Sequence, residues 1–467
     1  MKPGRLVMPA IRWQAAGGFA AADEAIDSAI AAGVGGFIIF GGEAEAVFDL
    51  TDRLQRRAGR PLLIGADLER GAGQQFRGLP ELPPPRALAA LGDLDAIREA
   101  GRITAAAARS VGVNWVFAPV ADLDLEPDNP IVQTRSFGAD PGAVGRAVAA
   151  WIAGAHAGGA LACAKHYPGH GRARHDSHDR TPVVGASREE LEGVDEVPFR
   201  AAIAAGVDSI MTCHVAFPAL DPTGLPATRS GPILSRLRDR LAFGGLIVSD
   251  ALNMGGFAGP EADAALVDAV RAGVDVLLYP PDAGRAADAL ERAAEGDAAF
   301  GERVAAALRY QADVVTRLAG WSAPALVPGD HEAAGALARR LIDAGAGPVR
   351  LAAPVELVLA DDDQDGAWPA SPNDWFERRL RERGVGFGPG GSRILVAFAE
   401  PRASKGRGGF GPRCRGVFAE TAADLAVLFA HERLAAELPA GVPVLRAWHR
   451  ERPLQEAAAD WVADRLG

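Results

Sequence analysis

The chain has 467 residues, 48% of them apolar and 23% charged, with a formal net charge of -11. That length exceeds one ordinary core and asks for two domains, and the balance of residues is that of a globular protein rather than a disordered one. The acidic surplus excludes the basic footprint of a nucleic-acid binder and a polybasic membrane contact. No stretch approaches the roughly 20 apolar residues of a membrane span. The N-terminus lacks the apolar run of a secretory signal, so a cytoplasmic protein is expected. Cys163, Cys213 and Cys414 form no close pair, which leaves no disulfide framework and no zinc motif.

Short apolar runs alternate with Ala-rich helical stretches through the first two-thirds of the chain. In order they are "RLVMPAI", "GGFIIFGG", "PLLIGADLE", "VNWVFAPVADL", "ALACAKHYPG", "DSIMTCHVAF", "GGLIVSDALNM" and "VDVLLYPP". Strands apolar on both faces that alternate with helices predict a parallel sheet. Eight such units over about 320 residues predict an α/β fold with a (β/α)8 TIM-type barrel. Polar residues gather at the C-terminal ends of these runs: Asp67 and Glu69, Asp122 and Asp124, Lys165 and His166, His214, then Asp250. In a barrel those ends form one rim, where active sites are built.

"GWSAPALVPGD" reads as a linker. Beyond it "VELVLADDD", "RILVAFAEP", "DLAVLFAHE" and "VPVLRAW" predict a second, smaller α/β sandwich-like domain. The expected division is a barrel over 1–322, a linker and helix over 323–345, and a small, reduced α/β domain over 346–467. "SKGRGGFGPRCRG" lacks the ending of a phosphate-binding loop and reads as a mobile loop. "DDDQDG" reads as a solvated turn, because the distal Glu of a calcium loop is missing.

Asp250, in "IVSDALNM", follows an apolar strand. A carboxylate held at a barrel mouth can attack an electrophilic carbon or stabilise a cation, while a plain helix cap is the alternative. "KHYPGHGRARHDSH", residues 165–178, holds four of the nine histidines. Asp176 and His178 stand two apart, so the carboxylate can orient one imidazole nitrogen and leave the other for acid–base work. The glycines at 169 and 171 make the segment a loop able to move over a substrate. The ligand types of a metal site are present, but the helical spacing is absent and Lys165 and two arginines disfavour a cation. No metal and no cofactor is expected.

Together these residues carry a resemblance. "KHYPGHGRARHDSH" resembles the KH(F/Y)PGHG-x4-DSH signature of family 3 glycoside hydrolases, in the β-N-acetylglucosaminidase branch that uses an Asp/His dyad. "NPIVQTRSFGADP", "MTCHVAFPALDP" and "GGLIVSDALNM" match the same family in the same order. The resemblance covers residues 1 to 320 and implies Asp250 as nucleophile of a covalent glycosyl–aspartate intermediate, with retention. It implies His178 as general acid/base and Asp176 as its partner. Lys165, His166 and Arg135 match positions that hold sugar hydroxyls, and Asp67 matches a carboxylate on the far side of the sugar. His214, Gln75 and Met254 are further candidates. Where recycling members read DQEGGRVQRFR this chain has "DLERGAGQQFR", so the family arginine falls at Gln75 and another at Ala72. One hydroxyl or acyl contact is therefore missing or replaced.

The resemblance implies a retaining exo-β-N-acetylglucosaminidase on peptidoglycan- or chitin-derived saccharides, with a small saccharide as its partner. A neutral histidine base would also admit phosphate in place of water, so a phosphorylase is the first alternative; Arg172 and Arg174 could favour that anion, although a solvated loop is the plainer reading of them. A catalytically silent saccharide-binding protein and a metal-dependent barrel hydrolase are the others.

Overall fold

The structure, a computed structural model, describes residues 2–177, 181–255, 262–321, 326–327, 329–344, 349–364, 371–401 and 405–466. Every predicted run forms a strand. They are β1 (Val7–Met8), β2 (Ala10–Arg12), β3 (Gly36–Phe40), β4 (Leu63–Ala66), β5 (Trp115–Val116), β6 (Leu161–Tyr167), β7 (Ser209–Thr212), β8 (Leu246–Val248) and β9 (Leu277–Leu278). The first run is split in two at Pro9, which has no N–H to give a ladder. From β2 to β8 each strand pairs in parallel with the next. β1 pairs with β9, and a parallel bridge between Val248 and Val276 joins β8 to β9, which closes the ring.

The period of two explains why these runs are apolar throughout. In β3, Phe37 and Ile39 face the helical layer while Ile38 points into the barrel beside Met8, Leu63, Trp115, Leu161 and Leu246. Inside the barrel Trp115 Nε1 donates to Ser209 Oγ at 2.9 Å, so both buried polar groups are satisfied. Outside, the helix Leu94–Ser110 is capped by Asp93, which accepts from the Asp95 and Ala96 amides. It packs against the helix Pro141–Ala157 at glycine positions. A Cβ on Gly154 would stand 1.9 Å from the Arg98 carbonyl oxygen, so only glycine allows this approach.

The second domain is a parallel sheet of β10 (Val355–Asp361), β11 (Ser392–Phe398), β12 (Leu425–Phe429) and β13 (Val444–Arg446), in chain order. Ile394, Val396 and Phe398 of β11 pack on one side with Phe376, Leu380 and Leu454 from helices. Leu395 and Ala397 pack on the other with Cys414 and Phe418. This is the expected small sandwich of helices around a sheet. The helix Gly329–Ala344 ties the two bodies together, with Ala334 and Leu337 in the barrel core and Ala338, Leu341 and Ile342 in the second. Parts of the expected linker, 322–325 and 328, lie outside the described residues.

Two expectations for this domain are corrected. Asp361 and Asp363 of "DDDQDG" are buried rather than solvated. They face Arg450, Lys405 and Arg407, with Arg450 spanning both Asp361 oxygens at 3.2 Å. The glycine- and arginine-rich segment is anchored where it is described, because Lys405 is buried against Asp363 and the Gly408 carbonyl accepts from Gln133 Nε2 of the barrel at 2.6 Å. Both corrections have one cause. Charges read as solvated from the sequence find opposite charges on distant elements, which makes burial tolerable.

Candidate active site

At the C-terminal mouth of the barrel a cavity of about 590 Å³ is lined by the ends of β2, β3, β6 and β9 and by the loops after β4 and β8. Asp67, Lys165, His166, Arg135, Gln75, Asp250 and Met254 are all on its wall. Residues nominated from positions spread over nearly 190 places in the chain are thus brought to one cleft, as a shared rim requires.

A network of alternating charge forms one side. Lys165 Nζ lies 2.8 Å from Asp67 Oδ1 and 2.7 Å from Glu69 Oε1. Glu69 in turn accepts from Arg135 Nε and Nη2, both at 2.8 Å, while Arg135 Nη1 donates to the Ile131 carbonyl. Burial alone would lower the Lys165 ammonium, but Asp67 and Glu69 hold it above its ordinary value. Burial alone would raise Glu69, yet Arg135 and Lys165 pull it well below the usual carboxylate range. Lys165 and Glu69 are therefore both charged, and Asp67 is the most exposed member of the network.

Beneath it, Asp122 organises the start of the loop. One oxygen accepts from the His166 and His170 backbone amides at 3.1 and 2.7 Å, and the other meets His166 Nδ1 at 2.7 Å. Burial would raise this carboxyl, and His166 brings it below its ordinary value. His170 is buried, and desolvation pushes its imidazole down to about 4, so it is neutral. Its Nε2 lies 3.1 Å from Ser177 Oγ, which joins the beginning of the loop to its end.

The glycines do more than loosen this loop. A Cβ on Gly171 would stand 1.7 Å from the Leu123 carbonyl oxygen, and the Gly171 carbonyl accepts from the Glu126 amide. Gly171 therefore lets the loop press onto the strand-end segment 122–126. Asp176 and Ser177 are buried, and Ser177 reaches the cavity wall. His178 lies outside the described residues.

Asp250 follows β8 half-buried, with Oδ1 accepting from the Ala251 amide at 2.7 Å. His214 is not on the cavity wall. Its Nε2 meets the Ala251 carbonyl at 3.1 Å and its Nδ1 meets Thr228 Oγ1 at 2.9 Å, so it braces the backbone beside Asp250. Gln75 is on the wall, but its side-chain carbonyl accepts from the Gly41 amide. Asp124 is also redirected, for it pairs with His431 at 3.1 Å and with Arg433 of the second domain. Arg172 and Arg174 pair with Asp195 and Glu126 and line a separate surface hollow, so neither faces the central cavity.

Several wall residues were not nominated. Arg12 stands 4.1 Å over the Phe40 ring and donates to the Tyr279 hydroxyl at 2.9 Å. Tyr279 holds a left-handed φ of 51°, rare for a bulky residue, to present that hydroxyl. Both end barrel strands, so the strand-end rule would have found them. Glu400 and Pro401 come from the second domain, and no spacing signal connects them with the barrel. Among the described residues there is no grouping of three or more His, Cys, Asp and Glu suited to a metal ion.

A parallel barrel whose mouth gathers carboxylates, a neutral histidine and paired Lys and Arg side chains has its active site there. Residues 2–310 match the family described as Glycosyl hydrolase family 3 N terminal domain. The chain belongs to that family and is a glycoside hydrolase. It is 40% identical over 238 residues to a β-N-acetylglucosaminidase/β-glucosidase of Cellulomonas fimi, an alignment taking in 48% of this chain and 42% of that protein. It is 40% identical over 255 residues to a β-hexosaminidase of Tolumonas auensis, covering 52% of this chain and 75% of that one. The structure of a family 3 β-N-acetylglucosaminidase from Paenibacillus sp. str. FPU-7 superposes with a TM-score of 0.86 at 26% identity, covering 100% of this chain and 96% of that one.

Proposed function

We propose that the chain is a retaining exo-β-N-acetylglucosaminidase acting on peptidoglycan- or chitin-derived saccharides. The observation that carries this reading is the single cavity in which the Asp250 carboxylate shares the wall with the Asp67–Lys165–Glu69–Arg135 network and the end of the loop bearing Asp176. Asp250 attacks the anomeric carbon, and the glycosidic oxygen leaves with a proton. Asp67 and Lys165 accept from and donate to the sugar hydroxyls, and His166 is aimed by Asp122. His178 delivers the proton, with Asp176 as its orienting partner. Water then enters, His178 takes its proton, and the bond to Asp250 is cleaved with net retention.

A chromogenic β-glycoside panel, glucose against N-acetylglucosamine with and without phosphate, tests the reading. Hydrolysis of the N-acetylglucosaminide that does not depend on phosphate is expected. Glycosyl phosphate as the main product would replace hydrolysis with phosphorolysis, and no turnover of any β-glycoside would leave a binding protein. Asp250→Asn is expected to lower kcat by at least about a thousandfold while the protein stays folded.

A further inference from the structure

We propose that Glu400, supplied by the second domain, is a specificity-determining residue that accepts a hydrogen bond from a hydroxyl of the saccharide in the barrel cavity. The inference rests on the reading of that cavity as a sugar site, and adds a residue that the barrel itself does not contain.

Glu400 lies two residues past the end of β11 and forms part of the cavity wall with Pro401. Its backbone is pinned from both sides, since its amide donates to Asp363 Oδ2 at 3.1 Å and its carbonyl accepts from Lys405 Nζ at 2.8 Å. The carboxylate is paired with Arg450 Nε at 3.1 Å and has His449 Nε2 at 3.7 Å. Arg450 is itself immobilised by Asp361, the Ser371 carbonyl and the Phe398 ring. The side chain is thus 9% exposed, and Glu400 is on the cavity wall.

The same network crosses to the barrel. His449 Nδ1 lies 2.7 Å from Glu451, and Glu451 pairs with Arg70, which is on the cavity wall. A fixed carboxylate and a fixed guanidinium therefore line one cavity, each neutralised from behind. A carboxylate only accepts, so a sugar hydroxyl, which can donate, suits Glu400. A preorganised charged group discriminates against a substrate lacking the hydroxyl, because a hydrogen bond at a desolvated carboxylate is then not made.

The test compares wild type, Glu400→Gln and Glu400→Ala on aryl β-N-acetylglucosaminide and on its monodeoxy analogues. For Glu400→Ala, kcat/KM is expected to fall about 10- to 100-fold on the parent glycoside, with Glu400→Gln in between. On one monodeoxy analogue, wild type and both variants are expected to agree within about threefold. A merely structural Glu400 predicts the same loss on every analogue, and that result overturns the proposal. So do variants within about twofold of wild type on the parent glycoside. Wild-type activity decides the sugar-site reading separately. An inactive wild type removes that reading and the proposal with it, whereas an active wild type with unaffected variants removes the proposal alone.

Discussion

His170 links the chemistry of one residue to the pH response of the fold. Burial pushes its imidazole down to about 4, whereas in the unfolded chain it takes up a proton near its ordinary value of about 6.5. The unfolded state therefore binds the extra proton across that interval. Stability is full above pH about 6.5 and is lost as pH falls toward about 4, by up to about 3 kcal/mol. Urea melts across this range are expected to show the slope in wild type and a flatter one in His170→Gln, and an unchanged slope would sink the assignment. At His178 the proton donor role predicts a split between substrates. His178→Ala is expected to slow glycosides with poor leaving groups far more than activated aryl glycosides, and an equal loss on both counts against it.

Among the elements, the segment from β6 to Ser177 is the most informative. Spacing presents it as a hinged loop, since glycine and basic residues replace any apolar pattern. Packing ties its first half down, because Asp122 holds two of its amides and Gly171 lies against the Leu123 backbone. Gly171→Ala is expected to push the loop off the 122–126 segment. The cost is about 2 kcal/mol or more, since overpacking against backbone has no side-chain escape. Thermal melts and kcat on one glycoside check it: both are expected to fall, and a variant unchanged in both would show that the close approach is unnecessary. β8 shows a second division of labour, with Asp250 facing the cavity and His214 of the neighbouring strand end bracing the Ala251 carbonyl.

For the whole molecule, the two domains share one cavity wall and a charged seam. Asp124 of the barrel meets His431 and Arg433, Asp330 meets Arg102 at 2.5 Å, and Glu451 meets Arg70. Burial would raise the Asp124 carboxyl, but His431 and Arg433 bring it below its ordinary value, so Asp124 meets the second domain as a carboxylate. Asp124→Ala removes a buried carboxylate from two partners and is expected to cost about 3–5 kcal/mol in urea denaturation. It is also expected to raise KM, because the displaced domain carries Glu400. A variant with wild-type stability and KM would show that the seam does not position the cavity wall.

The barrel, its rim and most of the cavity wall were legible in the order of residues along the chain. Each strand carries its own period of two and its own polar terminus, and a closed parallel ring can put those termini only at one mouth. Asp67, Lys165, His166 and Asp250 were legible for that reason, as were the four strands of the second domain. Which partners the rim residues meet emerges only from packing. Asp124 docks a domain, His214 supports a backbone, and Glu69 neutralises two cations it does not adjoin in the chain. Packing also decided that Glu400 reaches the cavity and that Asp361 and Asp363 are buried. The physical reason is shared: a charge can be buried only where an opposite charge meets it. That partner comes from the packing of two cores, not from any spacing along the chain.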